Sequence, residues 1–255
     1  MELVDTHCHL DIEAFDADRG QVLERARERG VRRLLVPAVD ATHWDGLLQL
    51  CGSDNYLYPA LGLHPVFLQT HTSADIASLE SAVEKYRPIA VGEIGLDYFV
   101  HELDRANQQT LFEAQLEIAR KASLPIILHV RKAHDQVLST LRRIPVRGGT
   151  VHAFNGSLQQ AQQYIDMGFK LGFGGMLTYT RSRKIRQLAA DLPVDALVLE
   201  TDAPDMTVSA HQGERNSPEY LPDCLQALAE VRNAEPDELA RQTTRNACSV
   251  FSLEM

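Results

Sequence analysis

Short apolar runs alternate with longer amphipathic stretches along the whole chain. The runs near Leu3–Thr6, Arg33–Val36, Leu57–Leu61, Ile89–Gly92, Pro125–Leu128, Gly149–Val151, Phe169–Gly172 and Ala196–Leu199 read as eight strands. Between them, Arg19–Arg29 sets Val22, Leu23 and Ala26 on one stripe of a charged helix, and Asp104–Ala122 is a long periodic segment. Leu158–Met167 ends at Gly168, a helix stop. Leu221–Leu253 predicts two closing helices parted near Asn233–Pro236. Apolar strands separated by helices predict a parallel sheet with the helices outside it. Eight units at a mean spacing of roughly 28 residues fit a (β/α)8 barrel, whose usual length is about 250 residues. The alternative is a doubly wound open sheet, which wants a Gly-rich phosphate turn after its first strand; none is present. No linker, low-complexity segment or repeat interrupts the pattern, so residues 1–255 read as one domain.

In such a barrel chemistry gathers at the C-terminal ends of the strands. Strand one runs into His7-Cys8-His9; residues at i and i+2 share a face, so both imidazoles aim at one point and Cys8 turns into the packing layer. Strand three ends in Gly62-Leu63-His64-Pro65 and strand four in Gly92-Glu93-Ile94-Gly95-Leu96-Asp97. Strands five, six and eight deliver His129, His152 and Glu200-Thr201-Asp202. Each residue alone has an ordinary reading, as a half-buried histidine, a turn acid or a cap. Together, burying so many polar groups at strand ends is costly without a shared partner, and a cation resolves it. The expected ligands are His7, His9, Glu93, His129, His152 and Asp202. That is more than one tetrahedral ion needs and fits two ions sharing a bridging acid, with Glu93 the natural bridge. One or two divalent ions are expected, as Zn, Mn or Mg; the His/carboxylate mixture suits Zn, Mn, Fe or Ni better than Mg or Ca. Asp202 is also the expected base for the attacking water, whose pKa a metal lowers from about 15.7 toward about 7. His64, Arg131 and Arg215 are the expected substrate contacts, with Asn216 beside Arg215, and Glu200 and Asp5 are candidates to orient histidine ligands.

Composition sharpens the partner. The net charge of −10 speaks against a generally basic nucleic-acid binder. Yet the span from Arg120 to Arg186 holds twelve Lys and Arg against two Asp and Glu, so a basic sector on an acidic body could steer a phosphate-bearing substrate. Arg181, Arg183 and Lys184 belong to it; a solvated helix start is the alternative for them. Of the chain's 255 residues, 44% are hydrophobic, but no apolar run approaches about 18 residues, so no membrane span is expected. The N-terminus lacks a basic and then apolar leader, and Cys8, Cys51, Cys224 and Cys248 show no CxxC spacing, which predicts reduced thiols in a cytoplasmic protein. No nucleophile-elbow motif appears, and no obligate protein partner is indicated.

These strings, with Leu124–His129, His152-Ala153-Phe154-Asn155-Gly156-Ser157 and Glu200-Thr201-Asp202-Ala203-Pro204, resemble the TatD-type metal-dependent deoxyribonucleases of the amidohydrolase-like superfamily, in order from Asp5 to Asn246. The loop Asp205–Pro218 is similar to that of the YjjV-like branch. The resemblance implies a (β/α)8 barrel, one to three divalent ions on the six ligands named above, His64 near the scissile phosphate, and phosphodiester hydrolysis, often at a 3′ end of DNA. Two strings depart from the family: Ala153 and Asn155 stand where Cys and Ser are common, and Asp205-Met206 where Tyr-Leu is common. Both bear on substrate contacts and leave the ligands intact. The leading expectation is a metal-dependent phosphodiesterase on single-stranded nucleic-acid ends. The competing ones are a hydrolase of a small amide, lactone or phosphoester on the same barrel, and a non-enzymatic metal-holding protein.

Overall fold

The computed structural model describes residues 2–254. Eight parallel strands lie side by side in chain order: β1 (Leu3–Asp5), β2 (Val31–Pro37), β3 (Leu57–Leu61), β4 (Ala90–Asp97), β5 (Ile126–Arg131), β6 (Gly149–Val151), β7 (Phe169–Phe173) and β8 (Leu197–Leu199). Helices α1 (Arg19–Glu28), α2 (Trp44–Gly52), α3 (Ser73–Tyr86), α4 (Arg105–Ala122), α5 (His134–Arg143), α6 (Leu158–Asp166), α7 (Arg183–Asp191), α8 (Leu221–Arg232) and α9 (Pro236–Phe251) follow the strands. Sequential, parallel order is what short strands joined by helices produce, because a parallel return needs a crossover. The sheet rolls into a barrel whose β1–β8 seam is closed by bonds running past the strand ends: the Thr6 N–H donates to Leu199 O, the Asp202 N–H to His7 O and the His9 N–H to Ala203 O. The backbone that carries three expected ligands is therefore itself the barrel's closure.

Two apolar layers hold the barrel, and strand alternation assigns residues to them. Leu34, Val36, Val91, Ile126 and Leu128 pack outward against the helices. Val4, Leu35, Ala60, Ala90, Ile127 and Val198 point the other way, and Val250, Phe251 and Leu253 from the end of the chain join them. Helix α9 thus caps the N-terminal end of the barrel; it starts at Pro236 after Asn233, which terminates α8 in the left-handed region (φ 47°).

The expected strand four stops too early. β4 continues through Glu93 to Asp97, with a register shift between Val91 and Ile94. Gly92 and Gly95 read as breakers in the sequence, but they serve close approach: a Cβ on Gly95 would sit 1.9 Å from His129 O and one on Gly92 2.7 Å from Ile127 Cβ. β5 likewise runs on to Arg131.

Candidate metal centre

At the C-terminal mouth, Glu93 is the hub. It is 1% exposed, and its two oxygens face two different groups. Oε2 lies 3.1 Å from His7 Nε2 and 3.4 Å from His9 Nε2. Oε1 lies 3.1 Å from His129 Nδ1, 3.3 Å from His64 Nε2 and 3.6 Å from His152 Nε2. Asp202 Oδ1 completes the first group at 3.6 Å from His7 Nε2 and 3.8 Å from His9 Nε2. The His7 and His9 Nε2 atoms are 3.2 Å apart. Two nitrogens bound to one tetrahedral ion at about 2.0–2.1 Å are separated by about 3.3 Å, so the donor set fits a cation. The shift in β4 is what turns Glu93 inward, anchored by its N–H on Ala38 O at 3.0 Å.

The far nitrogens decide which imidazoles can ligate. His9 Nδ1 is 3.1 Å from Pro37 O and His129 Nε2 is 3.0 Å from Asp97 Oδ2. A carbonyl or carboxylate there takes the ring's proton and leaves the inner nitrogen's lone pair toward the centre. His152 Nδ1 lies 3.4 Å from Glu200 Oε1 without a hydrogen bond between them, and His7 Nδ1 has no partner either. His64 is the reverse case. Its Nδ1 accepts from the Val66 N–H at 3.1 Å, so the proton sits on Nε2 and the inward face is a donor. Although His64 converges on Glu93 together with His129, its tautomer suits it to donate to an oxygen rather than to hold a cation. Burial first, and then the neighbouring His129, push its pKa down to about 4, against the pull of Glu93, which keeps the ring neutral.

Charge follows the same layout. Burial alone would raise the Glu93 carboxyl, but His7, His64 and His152 outweigh it and hold it well below the usual carboxylate range. Burial dominates at Asp202 and raises it to about 6, against the lowering effect of His152 and His9. The strand ends are also strained: Lys132, Ala153 and Asp202 take left-handed backbone at φ 54°, 44° and 58°, a cost of roughly 1–2 kcal/mol each.

The other expected residues fall into place unevenly. Glu200, 1% exposed, accepts from the Ala153 N–H at 2.6 Å as well as approaching His152, and Gly172 makes room for it, since a Cβ there would meet the carboxylate at 2.1 Å. Asp5 touches no imidazole; it accepts from the His7 N–H, the Thr201 N–H and the Thr201 hydroxyl, pinning the seam. Arg131 is exposed and lines the cavity of about 750 Å³ in front of the metal centre, together with His64 and Asn155. Arg215 corrects the expectation of a substrate contact. Its guanidinium pairs with both oxygens of Asp18, at 2.9 and 2.7 Å, and lies over the Phe15 ring, so it ties its loop to α1 and does not line the cavity. Asn216 binds the Thr201 and Asp205 carbonyls and holds the same loop. Lys184 donates to Asn155 O at the rim.

Three residues escaped the sequence reading: Asp97 and two amides from α4. Gln108 clamps the Asp97 backbone at both N–H and carbonyl, and Gln115 does the same for Leu63, next to His64. The signal was present. Gln108 and Gln115 lie with Phe112 on the buried stripe of α4, where a polar residue needs a partner.

The TatD-related DNase family model matches residues 4–252. The chain belongs to the TatD family of metal-dependent hydrolases. It is 41% identical to the metal-dependent hydrolase YjjV of Escherichia coli strain K12 over 254 residues, covering 98% of both chains. It is equally 41% identical to a metal-dependent hydrolase of Haemophilus influenzae, over 99% of this chain and 100% of the other. The crystal structure of E. coli YjjV, a TatD homolog, superposes with a TM-score of 0.95 at 40% identity, covering 99% of this chain and 98% of that one. TatD membership accords with the barrel. Among the described residues no helix is long and apolar enough to cross a membrane.

Proposed function

We propose that this TatD-family hydrolase cleaves phosphodiester bonds at single-stranded nucleic-acid ends, with divalent ions that His7, His9, Glu93, His129, His152 and Asp202 would hold. The observation that carries the reading is the division of labour at Glu93. Oε2 faces His7 and His9, whose Nε2 atoms Asp202 also approaches; Oε1 faces His129, His64 and His152. Two ions, as Zn or Mn with Mg as the alternative, suit those donors. When bound, such ions supply Lewis acidity, polarising the phosphoryl oxygen and making water acidic enough to attack near neutral pH. The chain's own residues do the rest. Asp202 accepts the proton of the attacking water. His64, with its proton on Nε2, donates to a phosphoryl oxygen, where charge grows in the transition state. Arg131 meets a further phosphate oxygen from the cavity wall. Residues 1–255 act as one unit, because the ligands come from strands across the whole barrel. The four free, buried cysteines suit a reducing cytoplasm.

A second reading, hydrolysis of a small amide, lactone or phosphoester, is favoured by one feature: Asp205 lines the cavity and would repel a long polyanion. One panel separates the two. Protein stripped with chelator and reloaded separately with Mg, Mn or Zn is offered single-stranded DNA, duplex DNA, RNA, lactones and N-acyl amino acids. Metal-dependent cleavage of single-stranded ends, lost on stripping, is the expected result. Turnover of lactones or amides with no oligonucleotide cleavage would replace the first reading with the second.

A further inference from the structure

Three exposed apolar side chains stand at the catalytic rim: Val66 (37%), Phe67 (41%) and Phe99 (43%). They belong to the loops that follow β3 and β4. Exposed phenylalanines grouped beside a cavity call for a ligand, since the chain's other six phenylalanines are all buried. The two rings are used differently. Phe99 is taken: the Arg131 guanidinium lies over it at 3.7 Å and Lys132 Nζ at 4.8 Å from its centroid. That cation–π contact holds Arg131 at the cavity wall. Phe67 is not covered in this way. It lines the cavity beside Val66, and its ring makes a T-shaped contact with His64 at 5.9 Å between centroids. His64 in turn reaches Glu93 at 3.3 Å. A flat apolar face thus lies one residue away from the metal centre, with cations on the neighbouring loop.

We infer that Phe67, backed by Val66, is a stacking platform for the unpaired nucleobase next to the scissile phosphate, while Phe99 positions Arg131 for a neighbouring phosphate. An anion alone would have no use for Phe67, and an apolar ligand alone would have none for Arg131 and Lys132. A nucleotide uses both, because its base is an uncharged flat ring and its phosphate an anion. Stacking does not depend on which base is presented, so the site tolerates any sequence at the end. A cavity of about 750 Å³ lies in the range of small-ligand sites, suited to one nucleotide end. The inference rests on the nucleic-acid reading above.

The test compares oligonucleotides whose terminal residue carries a base with identical ones ending in an abasic residue, using wild type, Phe67→Ala and Phe67→Trp. On base-bearing ends, Phe67→Ala should lower kcat/KM about 5- to 100-fold and Phe67→Trp should restore most of it. Abasic ends should be poor for wild type and no poorer for Phe67→Ala. A binding readout needs no turnover: with chelator present, 2-aminopurine as the terminal base should be quenched by wild type and much less by Phe67→Ala. Equal losses on both kinds of end, or none on base-bearing ends, would overturn the platform while leaving phosphodiester cleavage standing. A wild type that neither binds nor cleaves any of the oligonucleotides would overturn the nucleic-acid reading, and the platform with it.

Discussion

The two ends of this barrel are built from the same eight strands by opposite chemistry. At the N-terminal end, Val4, Leu35, Ala60, Ala90, Ile127 and Val198 meet Val250, Phe251 and Leu253, and the layer is apolar. Two residues further along the same strand face, Ile127 gives way to His129 and then Arg131. There the buried groups are imidazoles and carboxylates, and several backbone positions are strained. One end contributes stability through buried apolar area. The other spends some of it to hold donors in a fixed arrangement, which is where a hydrolase of this family needs rigidity. The comparison implies that the ends can be broken independently.

The largest effect should come from Asp202→Asn at the polar end. Turnover should fall about 10³-fold or more as the proton acceptor is lost, while circular dichroism and thermal midpoint stay near wild type. Wild-type turnover with every metal would remove Asp202 from the chemistry. At the apolar end, Phe251→Ala should cost about 3–5 kcal/mol of stability, read by denaturant unfolding, with kcat of the remaining folded protein unchanged. A large drop in kcat without loss of stability would mean the ends are coupled. A smaller contrast lies within the rim. Arg131→Ala should raise KM for phosphodiester substrates about tenfold, whereas Arg215→Ala, whose side chain is held by Asp18, should leave KM within about twofold of wild type on the same substrates. Equal effects would place Arg215 at the substrate after all.

These contrasts also explain what could be read from the chain. The clustering of His7, His9, His129, His152 and Asp202 is legible because each lies within a few residues of the end of an apolar strand run, where a buried polar residue has to be satisfied by something. The barrel was visible for a related reason: the strand runs repeat at a spacing that leaves room for one helix each. Glu93 is expected as a ligand just beyond the strand, whereas β4 runs through it, because Gly92 and Gly95 look like punctuation until a neighbouring strand is seen to pass within contact distance of them. Arg215 stands in a polar loop after Asp202, which suggests substrate, whereas its partner Asp18 lies almost two hundred residues earlier in the chain. Asp97, Gln108 and Gln115 act through backbone groups brought close only by the fold. The tautomer of His64, which separates a donor from a ligand, depends on the turn that brings the Val66 N–H onto its Nδ1.

If Glu93 serves both donor groups, losing its carboxylate should cost the site metal. The direct measurement is metal per chain by mass spectrometry after loading with Zn or Mn and desalting, in wild type and in Glu93→Gln, with folding checked by circular dichroism. About two ions per wild-type chain and at most about half of that in the variant are expected. A folded Glu93→Gln protein that retains the full wild-type complement, or a wild type that holds no ion at all, would contradict this expectation.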